Sequence, residues 1–311
     1  MNKPENSNRN LSRKNFLRGL VGMSTLVIIP QFKTFSALSE SIQTQNKSIN
    51  AEYIFVNVGF GDTTILKLGD KTVMIDCFQE KGYGESFTKH LPSKKIDLLI
   101  LTHRHFDHYF GIEQILENNI QVEEVWESNY RGHLNPDLKI LRPYEFENGK
   151  KAKQLIDELL KRGTIVSQVD TSMPTKLVNG YQFHVLNPLP NVNENPANAV
   201  HDACLVLLLT SPENKKEILF CADANLTVLN RIYRTENIEN VRILCAPHHG
   251  ALDSVHPSFI ERAAPDYTIV SSRPGFYKQI PEPESLAVYQ KYTMKAVLKT
   301  YERGTIFLNG E

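Results

Sequence analysis

Residues His103-Arg104-His105-Phe106-Asp107-His108 put three imidazoles and a carboxylate within six positions. These side chains bind borderline divalent ions, zinc first and manganese as the alternative. The cluster directly follows the apolar run Asp97-Leu-Leu-Ile-Leu-Thr102, where a strand should give way to a helix. In extended backbone alternate side chains point the same way, so His103 and His105 can share one ion. Asp107 and His108 lie past the turn and can address a second. A chance polar loop would not place this density at a strand end. The remaining histidines read more plainly. His133 reads as a surface residue, His90 as a helix end before Leu91-Pro92, and His184 as a structural residue within a strand. His256 reads as a helix start before Pro257.

The elements that must position the cluster follow from hydrophobic patterning. Tyr53–Val58, Thr63–Leu68 and Lys71–Asp76 read as three short strands joined by Gly59-Phe60-Gly61-Asp62 and by the tight turn Gly69-Asp70. The unbroken apolar run ending at Thr102 predicts a strand covered on both faces. Further strands are predicted at Val122–Trp126, Gln182–Leu186, Cys204–Leu209, Ile218–Cys221, Arg242–Ala246 and Tyr267–Ser271. Helices are predicted at Phe110–Asn118, Lys151–Arg162, Leu226–Tyr233, Pro257–Arg262 and Pro283–Tyr292. Strands alternating with helices in both halves predict an α/β fold of two packed sheets covered by helices. Residues Ser128–Asn148 are polar, aromatic and irregular, and read as a long loop bordering a site. Trp126 and Tyr130 read as core and loop aromatics. Arg273 and Tyr277 follow a predicted strand end on the side of the cluster.

Composition narrows the function. Lys plus Arg and Asp plus Glu total 35 each, so the net charge is zero and the field of a dedicated nucleic-acid binder is missing. Nucleic acid is therefore a possible but disfavoured partner. A hydrophobic share of 41% with 23% charged residues is that of a globular chain with a real core. The first fifty residues differ from the rest. Ser12-Arg13-Lys14-Asn15-Phe16-Leu17-Arg18 is basic, Gly19–Ile29 is apolar, and Thr34-Phe35-Ser36-Ala37 offers small residues for cleavage. This order predicts a secretory signal of twin-arginine-like type, with Lys14 in place of the second Arg. Residues 1–50 are thus read as signal and linker, 51–311 as the working domain, and the mature chain as exported to periplasm or exterior without a membrane span. Cys77, Cys204, Cys221 and Cys245 lie in or beside predicted strands with no close pair, as small core residues do.

His-x-His-x-Asp-His after an apolar strand resembles the signature of the metallo-β-lactamase superfamily. The remaining motifs resemble its branch related to bacterial DNA-uptake competence proteins (ComEC-type). They run in order as Val58-Gly59-Phe60-Gly61-Asp62, Ile75-Asp76, Leu186-Asn187-Pro188, Ala222-Asp223 and His248-His249-Gly250-Ala251. The resemblance implies a four-layer αββα sandwich and a binuclear site. His103 and His105 would hold the first ion, and Asp107, His108 and one of the His248-His249 pair the second, with His249 preferred. Asp223 would bridge both, because a carboxylate has two oxygens. His201, where the branch has an Asn-rich segment, sits near the place of a third histidine ligand to the first ion. Ala222 stands for Gly and Ala251 for Ser, the latter removing one substrate contact.

Such a site implies hydrolysis by a metal-activated water, with Asp107 and Asp223 as the catalytic carboxylates and no serine or cysteine nucleophile. Phosphodiester or phosphate ester cleavage is the first expectation. Amide or lactam hydrolysis, which needs an apolar pocket beside the metals, and a non-catalytic metal-binding module are the alternatives.

Overall fold

The computed structural model describes residues 50–194, 200–277 and 279–311. The chain divides into Met1–Ser48 and Ile49–Glu311, and the fold below is that of the second unit. The signal-like segment lies outside the described residues. Among those described, no helix is long and apolar enough to cross a membrane.

Among the described residues, fourteen strands form two seven-stranded sheets. The first contains β1 (Ala51–Phe55), β2 (Thr64–Leu68), β3 (Lys71–Ile75), β4 (Lys95–Leu101), β5 (Gln121–Ser128) and β6 (Ile165–Val169). The second contains β7 (Lys176–Val178), β8 (Tyr181–Asn187), β9 (Val206–Thr210), β10 (Lys216–Phe220), β11 (Ile243–Cys245), β12 (Tyr267–Val270) and β13 (Ala296–Lys299). β14 (Ile306–Asn309) returns to the edge of the first sheet beside β1. In each sheet one half is antiparallel and the other parallel. The switch comes at β3–β4, which pair parallel after an antiparallel β2–β3, and at β10–β11 after an antiparallel β9–β10.

Period-two alternation explains the apolar runs. Leu98 and Ile100 of β4 join Phe183, Leu207, Ile218 and Phe220 in the core between the sheets. Their neighbours Leu99 and Leu101 face outward, against Ile112, Ile115, Leu155 and Ile156 of the covering helices. Leu219 and Leu244 similarly face Val228, Leu229, Phe259 and Ile260 on the far side. With both faces covered, the central strands have no polar side to show. The result is four layers, helix–sheet–sheet–helix, as anticipated. Truncating a residue such as Leu98 to Ala should cost about 2–5 kcal/mol.

Two expectations are corrected. Residues Ser128–Asn148 are not one irregular loop: α3 (Pro136–Leu141) and α4 (Pro143–Lys161) follow α1 (Phe106–Tyr109) and α2 (Ile112–Glu117). The Asn135 side chain accepts the Asp137 N–H at 3.0 Å, and proline opens each of α3 and α4. These are ordinary start signals that the exposed apolar residues Ile140, Leu141 and Tyr144 disguise. The helix predicted over Phe110–Asn118 starts later, as α2 after Gly111, with the short α1 ahead of it. A Cβ at Gly111 would lie 2.9 Å from the Cys77 carbonyl oxygen, which accepts the Gly111 N–H at 2.7 Å. The short strands β6, β7, β13 and β14 carry too little alternation to be seen in advance. α5 (Leu226–Thr235), α6 (Pro257–Ala263) and α7 (Pro283–Tyr292) fall where the periodicity puts them.

Candidate metal centre

The site lies at the carboxyl ends of the central strands, where each chain segment leaves its sheet. After β3, Asp76 adopts φ +55° and turns its carboxylate toward the end of β4. Its Oδ1 accepts the Thr102 N–H at 2.7 Å, and its Oδ2 accepts the Thr102 hydroxyl at 2.8 Å. That hydroxyl lies 3.1 Å from His103 Nδ1, and Asp76 Oδ2 lies 2.7 Å from His108 Nδ1. Both imidazoles are thereby oriented through Nδ1, leaving Nε2 for the site. Arg104 points the opposite way and pairs with buried Glu127 on β5, Nη2 to Oε2 2.6 Å. His103 and His105 therefore share a side, as extended backbone requires.

The second sheet supplies the other half. Asp223 follows β10 after Ala222, which holds φ +46°, and His248 and His249 follow β11 with φ +49° and +54°. Such backbone costs about 1–3 kcal/mol per residue and clusters at functional sites. The His249 ring nitrogen Nδ1 faces the Ser271 carbonyl oxygen at 3.1 Å, which again turns Nε2 inward.

Two four-residue groups result, and they share Asp223. In each of His103/His105/His201/Asp223 and Asp62/His108/Asp223/His249, one ligand atom per residue lies within 4.8 Å of the others. His103 Nε2 and His201 Nε2 are each 3.5 Å from Asp223 Oδ2. His108 Nε2 and His249 Nε2 are 3.3 and 3.7 Å from Asp223 Oδ1. His201 Nε2 lies 3.0 Å from His105 Nδ1. Ligand atoms about 3.4 Å apart are what a tetrahedral ion with bonds near 2.1 Å requires. The fit has a further sign: the Nε2 atoms of His103, His108 and His249 and Oδ1 of Asp223 are buried without any hydrogen-bond partner. Buried polar atoms are almost always satisfied, so four orphans converging on one space mark a place for a cation. The His/Asp cluster can hold metal.

Asp107 Oδ2 lies 3.3 Å from His249 Nε2, placing Asp107 beside the second group. Asp62, which the motif contained without a role, joins that group instead. His248 Nε2 is 3.7 Å from Asp223 Oδ2, while its Nδ1 meets Asp253 at 3.2 Å and Ser254 at 3.3 Å. His248 thus faces the open side of the shared carboxylate and His249 the closed side.

Burial and neighbouring charge set the protonation. Desolvation, helped by adjacent imidazoles, lowers His103 and His105 to about 3 and His201 to about 4. His249 behaves oppositely: burial alone would lower it, but Asp223, Asp62 and Asp107 prevail and raise it to about 9. His108 rises above its ordinary value for the same reason, burial being outweighed by Asp223 and Asp76. Burial works to raise Asp107 and Asp223, yet the surrounding imidazoles hold both below the usual carboxylate range.

Residues 56–185 match the family model of the metallo-beta-lactamase superfamily. Among solved structures, Igni18, a metallo hydrolase from the archaeon Ignicoccus hospitalis, superposes with a TM-score of 0.52 at 12% identity, over 84% of this chain and 100% of that one. YhfI from Bacillus subtilis, a metallo-beta-lactamase fold protein, gives 0.50 at 11% identity, over 83% and 99%. A mutant of the β-hydroxylase CmlA gives 0.52 at 15%, over 84% of this chain and 54% of that one. No curated protein matches in sequence.

The chain has the metallo-β-lactamase fold. The family-model match covers under half of the chain, and the architecture agrees with the fold of these structures. On this metallo-β-lactamase scaffold the ligand groups open into a cavity of about 970 Å³. His105, Asp107, His201, Asp223 and His248 form its floor, with Phe60, Tyr144, Phe276 and Tyr277 on its walls. Several residues read from sequence lie elsewhere. His256 Nδ1 accepts the Phe259 N–H at 3.1 Å and caps α6, so it starts a helix and does not border the cavity. His184 Nδ1 lies 3.1 Å from the Thr175 hydroxyl, and His90 Nε2 is 3.0 Å from Glu85. The His133 side chain lies outside what is described. Trp126 is a core residue whose Nε1–H donates to Glu124 at 2.7 Å. Asp76, Thr102 and Asp62 are the site residues that sequence reasoning missed. Ile75-Asp76 and Gly61-Asp62 were visible as motifs, but their roles depend on where other strands end.

Proposed function

We propose that the chain is a binuclear metal-dependent hydrolase of the competence-protein-related branch, cleaving phosphodiester or phosphate ester bonds. The observation that carries this reading is the sharing of Asp223 between two four-residue ligand groups. His103, His105, His201 and one Asp223 oxygen would hold the first ion. His108, His249, the other Asp223 oxygen and a carboxylate of Asp107 or Asp62 would hold the second. Zinc suits the imidazole-rich group best, with manganese the alternative. Divalent ions here would lower the pKa of a water toward neutrality and clamp the attacking and leaving oxygens of a displacement.

The chain's own residues do the rest. Asp107, kept ionised among His108 and His249, accepts a hydrogen bond from the attacking water and orients it. His248, at the open side of Asp223, donates to a substrate oxygen while Asp253 and Ser254 steady its ring. Asp76 and Thr102 hold His103 and His108 in place throughout. The basic, apolar and small-residue order of residues 12–37 supports an exported enzyme acting on an envelope or small-molecule phosphoester.

A second reading, amide or lactam hydrolysis, draws support from the aromatic wall of Phe60, Phe276 and Tyr277 beside the ligands. Metal content of the purified chain, measured with hydrolysis of bis-p-nitrophenyl phosphate and nitrocefin, separates the readings. Two ions and phosphodiester cleavage, both reduced in His105→Ala, are expected. Nitrocefin turnover alone would favour the lactam reading, and no metal with no turnover would remove the enzyme.

A further inference from the structure

One wall of the cavity is built from stacked aromatic rings. Phe60 lies 4.9 Å from the His249 ring, stacks on Phe276 at 5.4 Å with 29° between planes, and meets Tyr277 at 5.9 Å. Ala251 and Ile280 pack with Phe60 in a small apolar cluster of their own. Phe276 and Tyr277 are nevertheless 52% and 49% exposed, so their apolar surface is presented to the cavity mouth and left uncovered.

This wall is anchored from behind. Glu80 Oε2 accepts the Phe60 N–H at 3.1 Å, and the same carboxylate pairs with Arg273. The Arg273 guanidinium lies over Tyr83 at 4.1 Å and over Phe276 at 5.5 Å. Gly59, at φ +100°, allows Glu80 this close, since a Cβ there would fall 2.3 Å from its Oε2. Glu80 and Arg273 thereby tie the loop carrying Phe60 to the loop carrying Phe276.

The charges around the cavity have the opposite sign from those expected for a polyanion. Among the described residues that line it, Arg142 is the one Lys or Arg, 3.8 Å from Glu145, whereas Asp253 and Glu282 line it as carboxylates. Phosphates flanking a scissile bond would meet these carboxylates.

From these observations we infer that the substrate carries a planar apolar group next to a single reacting centre, seated on Phe60, Phe276 and Tyr277. The inference rests on the hydrolytic reading of the metal centre, and two measurements keep the two apart.

The first is binding alone. Calorimetric titration of the zinc-loaded full chain with phenylphosphonate and with methylphosphonate compares ligands of equal charge that differ by one ring. The phenyl compound should bind about tenfold more tightly, the scale of a favourable aromatic contact. Phe276→Ser, at an exposed position, and Phe60→Leu should each bring the ratio below about threefold with bound zinc retained. Equal affinities, a ratio that survives both substitutions, or no binding of either ligand would overturn the inference. The second is turnover of p-nitrophenyl phenylphosphonate against p-nitrophenyl methylphosphonate, which share a leaving group. A phenyl preference in binding with no turnover of either would remove the hydrolase and leave the aromatic seat. Turnover without preference, or faster cleavage of single-stranded DNA, would overturn the seat and leave the hydrolase.

Discussion

The two ligand groups share Asp223 but differ in what surrounds them. His103 is buried and His105 and His201 are partly so, and with imidazoles crowded together each is held neutral, at about 3, 3 and 4. His108 and His249 are more deeply buried still, yet Asp223, Asp76, Asp62 and Asp107 hold them protonated. Burial is common to both, so neighbouring charge decides the sign. The first group stands ready for a cation, while the second already holds positive charge as protons that an ion must displace.

Asp223→Ala should break the comparison altogether. Neither group keeps its carboxylate, bound metal should fall from two ions toward none by elemental analysis, and turnover should drop by roughly 10³-fold or more. His103→Ala and His249→Ala should separate the groups instead, each losing one ion and retaining the other. If either substitution empties both, the groups act as one unit.

Asp76→Asn tests what they have in common. It disturbs His103 through Thr102 and His108 directly, so zinc affinity at both groups should weaken by about 10–100-fold in chelator competition. Thr102→Val should weaken the His103 group more than the His108 group, which keeps its direct contact with Asp76.

Acid and alkali should pull the two groups apart in the metal-free chain. The first group's histidines have folded values below the ordinary 6.5, so the unfolded chain binds more protons and stability falls as pH drops below about 6.5. His249, raised to about 9, contributes stability that is fully present below 6.5 and lost as pH rises through 9. Thermal melts in EDTA should therefore pass through a maximum near pH 6.5–7. The alkaline slope, about 1.4 kcal/mol per pH unit for one proton, should shrink in His249→Gln.

The smallest effect concerns the turn before Asp223. Ala222 is a buried member of the outer core at φ +46°, so relief of the backbone and loss of the methyl contacts oppose each other, and Ala222→Gly should change stability by within about 1 kcal/mol. A large loss on melting would mean that the methyl group packs against something essential.

Much of this was legible in advance because it is local. Leu98 to Leu101 had to be a strand covered on both faces, since no polar residue interrupts the run. His103 and His105 had to share a side because extended backbone alternates. The helices at Leu226, Pro257 and Pro283 followed from their apolar spacing. The region from Ser128 to Asn148 misled because proline and Asn135 start helices whose outer faces keep Ile140, Leu141 and Tyr144 in solvent. Periodicity reads burial, and there is little burial there to read.

By itself, then, the chain's order of residues determined a strand that ends in metal-binding side chains, a carboxylate and a histidine pair after later strands, and layers enough to bury them. Tertiary structure alone decided that Asp223 stands between two groups, that Asp62 joins one of them, and that Asp76 supports both. It also decided that Phe60 and Phe276, more than two hundred positions apart, stack into one wall. Local sequence sets backbone direction and side-chain alternation over a few residues. Which strand ends meet is set only when two sheets pack face to face, and the charge each histidine carries is set only by the carboxylates that this packing brings beside it.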